Sequence, residues 1–212
     1  GSLIPPSENG ASSVPPPTLK QALVAEVLGT YILVQVGCGG LCAGLYMGVF
    51  SDAFSMAIIW LLGGMVAVYC VGDISGAHLN PAVSLAFALV RDDLDMKKVP
   101  LYWAAQLLGG ILAGGINLLI FTAAIADFEE QQGLTRGHSS SIKSAAAFGD
   151  YWSLSPGVAG PFHAVFIEAF GTAFLTFVIF AITHPKNESV ASSAVAPMVG
   201  TAIGVMIALL GS

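Results

Sequence analysis

Long apolar runs constrain this chain more than any other feature. A helix that crosses the hydrocarbon of a bilayer needs about 20 mostly apolar residues. Five segments meet this requirement, and the predicted spans are 19–42, 54–72, 98–122, 161–183 and 191–211. Only 9% of the residues are charged, against about 25% in ordinary soluble domains. The sequence therefore predicts an all-α membrane protein with five spanning helices.

The remaining composition excludes several kinds of function. The net charge is −6 and the basic residues form no basic face, which argues against a nucleic-acid partner. The chain contains neither a P-loop nor a cluster of metal-ligating side chains. We therefore expect no catalytic residues, no cofactor and no metal site. Residues 1–18 carry five prolines among Ser, Asn and Gly and are predicted to be a disordered tail.

A short apolar segment, 81–90, follows the polar stretch "GDISGAHLN" at 72–80. At 1.5 Å per residue, this segment and Asn80 together cover only about 16 Å, or half of the hydrocarbon. Asn is a favourable helix N-cap and Pro is favoured at the first helical position. Irregular backbone at membrane depth is tolerated where it is buried in protein or lines a wet cavity. The sequence therefore predicts a re-entrant segment followed by a half-helix at 80–91.

The distribution of Lys and Arg predicts the orientation, because positive charge accumulates on the cytoplasmic side. With the N-terminus inside, the cytoplasmic cations are Lys20, Arg91, Lys97, Lys98 and Lys186. Only Arg136 and Lys143 then lie outside. We therefore expect a cytoplasmic N-terminus and an extracellular connection at 123–160, in either the plasma membrane or an internal membrane.

An internal repeat links the first and fourth spans. The sequence "AEVLGTYILV" begins at Ala25 and "IEAFGTAFLT" begins at Ile167, so that Glu26 and Glu168 share an E-x-x-G-T frame. Three spans lie between equivalent points, which makes the second copy inverted, as in many transport proteins. The expected organisation is a first repeat at 19–122 and an incomplete second repeat at 161–212.

Glu26 and Glu168 are the only acids inside the predicted spans. An ionisable group at membrane depth is costly unless it is paired or hydrogen-bonded. One interpretation is that each glutamate accepts hydrogen bonds from a re-entrant segment and so stabilises it. The alternative is a proton-relay carboxylate in an ion- or proton-coupled transporter. We favour the first interpretation because no second acid or histidine at matching depth continues a relay.

The motif "SGAHLNPAV" at 75–83, the paired E-x-x-G-T frames and the long spans together resemble the aquaporin and aquaglyceroporin family, the major intrinsic proteins. The resemblance implies a homotetramer of right-handed helical bundles. It implies that the side-chain amide of Asn80, in the Asn80, Pro81 and Ala82 motif, donates a hydrogen bond to the solute. The backbone carbonyls that would accept from the solute are those of Gly76, Ala77 and His78. Glu26 and Glu168 would stabilise the two loops.

One departure from the family pattern is large. The second Asn-Pro-Ala motif, the selectivity Arg and the sixth span do not occur in these 212 residues. We therefore expect a truncated chain that would continue beyond Ser212 in the whole protein. A non-conducting five-span scaffold is the alternative interpretation.

The resemblance also implies positions for the selectivity filter. Trp60 occupies the filter position in the second span, and Ala208 aligns with the filter position in the fifth span. Leu33 would add an apolar wall. A Trp near the membrane interface is also common as an anchor, which is the alternative for Trp60. A methyl group at Ala208 would widen the constriction. We therefore expect a passive channel for water and small neutral solutes such as glycerol, with a water-selective channel as the alternative.

Overall fold

A computed structural model describes residues 15–49, 52–155 and 157–210. The helices are α1 (Leu19–Met47), α2 (Ala53–Ser75), α3 (Pro81–Ala86), α4 (Val99–Ile120), α5 (Thr122–Gln131), α6 (Ile142–Ala145), α7 (Pro161–Ile182) and α8 (Ser192–Leu210). No strand occurs in the described ranges. Five helices, α1, α2, α4, α7 and α8, are long and apolar enough to cross a membrane. The predicted all-α class and the five predicted spans are therefore confirmed. Residues 1–14 of the predicted tail lie outside the described residues.

The spanning helices extend beyond several predicted ends. α1 continues past residue 42 to Met47, where the Tyr46 hydroxyl donates to the Ser144 carbonyl and the Tyr46 ring packs 5.5 Å from that of Phe128. α2 continues past residue 72 to Ser75. Asp73 consequently lies in the last turn of a spanning helix, so the prediction that Glu26 and Glu168 are the only acids in the spans was wrong.

The predicted half-helix consists of two kinds of helix. α3 is followed directly by a π-helical turn at Phe87–Arg91, which the sequence did not predict. Arg91 holds the end of this turn against the end of α7, because its guanidinium donates to the Thr183 hydroxyl at 2.7 Å. The same guanidinium lies 5.0 Å from the Phe87 ring centre and 5.5 Å from that of Phe180.

The apolar core surrounds the re-entrant segment and the half-helix. Phe87 is fully buried, with its ring stacked 4.5 Å from that of His78 and edge-on to Phe180 at 5.0 Å. The spanning helices contribute the aromatic ring of Tyr102 and small and branched side chains, among them Ala25, Val68, Val71, Ile179, Val195 and Val199. The irregular backbone is thus enclosed by protein, as membrane depth requires.

α1 and α4 approach each other closely at Gly109. A Cβ atom at this position would lie 2.5 Å from the Val27 carbonyl oxygen and 3.0 Å from the Tyr31 nitrogen. Both neighbours are backbone atoms, which cannot move aside as a flexible side chain can. In contrast, a Cβ atom on the adjacent Gly110 would meet no heavy atom within 4 Å. The absence of a side chain at Gly109 therefore sets the separation of the two helices.

The connection predicted at 123–160 contains α5 and α6, which the sequence did not indicate. Glu129 joins them, because it accepts hydrogen bonds from Arg136 at 2.8 and 3.2 Å and from the Ser144 hydroxyl at 2.8 Å. Arg136 lowers the pKa of the Glu129 carboxyl from its ordinary value. The carboxylate is therefore ionised at neutral pH, and its bond to Arg136 weakens only as pH falls through the lowered pKa.

The close approach at Gly109 predicts unequal effects of two neighbouring substitutions. Gly109→Ala should lower the thermal unfolding midpoint of the purified protein in detergent, because overpacking typically costs about 1–3 kcal/mol. Gly110→Ala is the matched control and should leave the midpoint unchanged or raise it slightly. Equal midpoints for the two variants would contradict the assigned helix contact.

Candidate functional site

The re-entrant segment, residues 76–80, joins α2 to α3 with an unusual backbone. Gly76, Ala77 and Leu79 have φ values of 89°, 49° and 50°. Left-handed conformations cost a non-glycine residue about 1–2 kcal/mol, so Ala77 and Leu79 keep them only where surrounding contacts enforce them. The segment is therefore held in place by its neighbours.

Glu26 supplies the main contacts of the re-entrant segment. Its side chain is fully buried, and its Oε1 accepts from the Ser75 hydroxyl at 2.6 Å and from the His78 N–H at 2.9 Å. Its Oε2 accepts from the Leu79 N–H and from the Gln106 amide, both at 2.8 Å. All four partners are donors, which matches the acceptor capacity of an ionised carboxylate.

α4 contributes further donors that the sequence did not predict. The Tyr102 hydroxyl donates to the Ser75 carbonyl at 3.2 Å, and the Trp103 indole N–H donates to the Pro81 carbonyl at 2.9 Å. Gln106 was detectable in principle, because a buried amide in an apolar span requires a hydrogen-bond partner. Which partner it finds depends on the depth at which α4 lies beside α1.

Asn80 begins the half-helix. Its Oδ1 accepts from the N–H groups of Ala82 and Val83 at 2.8 and 3.3 Å. Within the described residues, the Asn80 Nδ2 group has no acceptor, and the carbonyls of Gly76 and Ala77 receive no hydrogen bond. The segment therefore presents an amide donor at Asn80 and carbonyl acceptors at Gly76 and Ala77 that no described residue uses.

Trp60 lies on the side of α2 that faces α1. Its indole covers Gly37 so closely that a Cβ atom on Gly37 would lie 2.5 Å from three ring atoms. Leu33 precedes Gly37 by four residues and therefore shares its face of α1. Both Trp60 and Leu33 are half-buried. The structure thus places these two predicted apolar positions at the same helix contact.

Ala208 lies on α8 and is exposed. It is one turn beyond Gly204, where a Cβ atom would lie 2.8 Å from the Ala57 carbonyl oxygen and 2.9 Å from the Leu61 side chain. Ala208 and Trp60 therefore occupy two packed helices, α8 and α2. Trp60 packs on α1, whereas Ala208 lies one turn beyond the contact between Gly204 and α2.

Glu168 has surroundings quite unlike those of Glu26. It is exposed on α7 and borders a cavity of about 470 Å³ that is also lined by Ala82, Asp150 and Trp152. Glu168 accepts no hydrogen bond from any residue in the described part of the chain. The structure therefore does not bring the two glutamates of the repeat to one site.

Comparison with known proteins gives a consistent result. The family model described as "Major intrinsic protein" matches residues 13–212. A glycerol uptake facilitator protein of Pseudomonas aeruginosa is 34% identical over 203 residues, which are 95% of this chain and 69% of that protein. Aquaporin NIP1-1 of Oryza sativa subsp. japonica is 46% identical over 101 residues, or 48% of this chain and 35% of that protein.

The fold is also similar to a solved structure. The X-ray structure of the aquaglyceroporin from Plasmodium falciparum matches with a TM-score of 0.67 and 22% identity, covering 92% of this chain and 72% of that one. The family model and the facilitator relative each extend over more than nine-tenths of the sequence. The chain therefore belongs to the major intrinsic protein family.

Proposed function

We propose that this chain forms a passive membrane channel for water and small uncharged solutes such as glycerol. The observation that carries the proposal is the re-entrant segment, where the Asn80 amide donor and the carbonyls of Gly76 and Ala77 have no partner among the described residues of a bundle of membrane-spanning helices. The relative in Pseudomonas aeruginosa is named a glycerol uptake facilitator, which supports a polyol among the solutes.

Asn80 acts in this proposal as the central donor of the Asn80, Pro81 and Ala82 motif. Its Oδ1 is used as the helix cap, which fixes the side chain and leaves Nδ2 to donate to a solute oxygen. The carbonyls of Gly76, Ala77 and His78 accept hydrogen bonds from solute hydroxyl or water hydrogens. A neutral solute can thus replace its hydrogen bonds to water by hydrogen bonds to the protein, at a low cost in free energy.

The filter positions in this proposal favour a carbon-bearing solute. Trp60 and Leu33 form an apolar wall, and the small side chain of Ala208 leaves the constriction wide. One face of glycerol consists of C–H groups that suit such a wall. A water-selective channel remains the alternative, and the two differ in glycerol permeability.

Ions and protons are excluded in this proposal by the half-helix and by Glu26. A helix N-terminus carries about half a positive charge, and Asn80 places this end inside the membrane. Glu26 accepts a hydrogen bond at each of its four contacts, two of them from backbone N–H groups of the re-entrant segment. This arrangement favours the structural role of Glu26, and nothing supports the ion-coupled alternative. Glu168 is proposed to stabilise a second loop in the whole protein.

We further propose the assembly and orientation of the channel. The cations Lys20, Lys97 and Lys98 favour a cytoplasmic N-terminus and an extracellular connection at 123–160. The two repeats, 19–122 and 161–212, would be inverted copies, and the whole protein would form a homotetramer in the plasma membrane or an internal membrane. Large apolar side chains on the outer faces, such as Leu107 and Phe177 at 65% and 69% exposed, suit lipid or neighbouring subunits.

The solute preference is tested with the full-length protein in proteoliposomes. After an osmotic step, both water and glycerol should equilibrate faster than in protein-free vesicles, while ionic current stays at background. Stopped-flow light scattering measures both rates. Glycerol equilibration at the protein-free rate would contradict the wide filter and favour the water-selective alternative.

Glu26→Gln tests the structural role of the carboxylate. The new amide group must face at least one donor, and each unsatisfied buried group costs about 1–3 kcal/mol. We expect a large loss of folded protein, or at least a tenfold loss of water permeability, with no dependence on a pH gradient. Glu130→Gln, at an exposed acid of α5, is the control. A folded variant that loses only a pH-driven component of flux would instead support coupled transport.

Gly37→Ala tests whether Trp60 borders the solute path. The added methyl would lie 2.5 Å from the indole, whereas carbon atoms need about 3.5–4.0 Å, so the ring must move away from α1. If the ring borders the constriction, glycerol permeability should fall several-fold and water permeability less. Gly114→Ala, where a Cβ atom meets nothing within 4 Å, is the control. Unchanged glycerol flux in a folded Gly37→Ala channel would count against Trp60 as a filter wall.

A further inference from the structure

The backbone on each side of Asn80 forms a hydrogen bond with a side chain of a different helix. On its N-terminal side, the Leu79 N–H donates to Glu26 of α1 at 2.8 Å. On its C-terminal side, the Pro81 carbonyl accepts from the Trp103 indole of α4 at 2.9 Å. We infer that Trp103 is a positioning residue, whose indole N–H sets the orientation of the Asn80 amide and thereby the solute preference. This inference rests on the channel function proposed above.

The other hydrogen bonds of Asn80 do not fix it relative to the bundle. Its Oδ1 accepts from Ala82 and Val83, and its carbonyl accepts from the Ser84 N–H at 3.0 Å. These partners belong to the half-helix itself, so they would move with Asn80 in any rotation of that helix. Contacts from outside the half-helix must therefore determine where the Asn80 amide points.

The Trp103 bond is directed from the side of the half-helix. A carbonyl oxygen has two lone pairs, so the Pro81 carbonyl can accept a hydrogen bond from the next turn of its own helix and one from Trp103 together. A lateral bond at the first helical residue resists rotation of that turn about the helix axis. Gln106 of α4 also donates to the half-helix, at the Ser84 hydroxyl 2.9 Å away, but Trp103 bonds to the residue that directly follows Asn80.

The hydrogen bond of Trp103 can be separated from its packing. The side chain is 41% exposed, so the ring contributes less to the core than a buried aromatic does. Tyr102, its neighbour, is only 5% exposed and bonds to Ser75. Removing the indole N–H while the ring stays in place should therefore leave the bundle folded.

Loss of this N–H should affect glycerol more than water. Glycerol must align its hydroxyls with the Asn80 amide and the backbone carbonyls while its carbon face meets the apolar wall. A water molecule has one oxygen and reorients freely, so it tolerates a misdirected amide. The ratio of glycerol to water permeability therefore reports on positioning, whereas a general loss of folded channels would lower both permeabilities together.

The experiment replaces Trp103 in the full-length protein by benzothienylalanine, which has a sulfur atom in place of the N–H. Trp103→Phe is the second variant, and Leu107→Ala, on the outer face of the same helix, is the control. Water and glycerol permeabilities are measured in proteoliposomes at matched protein content, together with the thermal unfolding midpoint. We expect both Trp103 variants to lower the glycerol-to-water ratio by about fivefold, the factor corresponding to one typical net hydrogen bond. The midpoint should remain close to that of the unmodified protein.

Two outcomes would overturn the inference while the proposed function stands. One is an unchanged permeability ratio in the benzothienylalanine variant, because the N–H would then have no part in positioning. The other is a proportional fall of both permeabilities with a lowered midpoint in both Trp103 variants, which would mean a purely structural contact. An unmodified protein without water or glycerol flux would overturn the proposed function, and this inference with it.

Discussion

The buried carboxylate of Glu26 is the interaction on which the centre of this structure depends. A backbone that leaves helical geometry at membrane depth exposes N–H groups that hydrocarbon cannot satisfy. Glu26 accepts from two of them, at His78 and Leu79, and so allows the left-handed conformation of Leu79 to persist. A buried carboxylate without donors and a buried N–H without an acceptor would each be costly. Here the irregular backbone supplies the donors, and Glu26 supplies the acceptor.

This interaction requires that α1 and α4 lie unusually close together. Gly109 permits that approach, because a side chain there would meet the backbone at Val27 and Tyr31. Gln106 is nearly one turn away on α4, and its amide reaches Glu26 at 2.8 Å. A small residue in the packing between helices therefore determines whether a polar side chain can complete the hydrogen bonding of the site. Close packing and polar contacts are among the interactions that stabilise helix association in lipid.

The sequence was sufficient for the features that depend on local chemistry. Apolar length predicts the five spans, and the cap and first-turn preferences of Asn80 and Pro81 predict where the half-helix begins. It was insufficient for features that depend on the relative depth of two helices. Gln106 and Trp103 gave no sign of their partners, because those partners lie on other elements. The contacts of Tyr46 near the end of α1 likewise depend on Ser144 and Phe128, far along the chain.

The two E-x-x-G-T frames also show that a sequence motif does not predict the contacts that its residues make with other elements. Both place a glutamate in a spanning helix, yet Glu26 is fully buried with four donors whereas Glu168 is exposed beside a cavity. The frame itself contributes only the acceptor and a small residue one turn away. The donors to Glu26 come from α2, α4 and the re-entrant segment, none of which belongs to the frame. A repeated helix motif therefore specifies the position of a charge, and the segments that pack against it decide what that charge does.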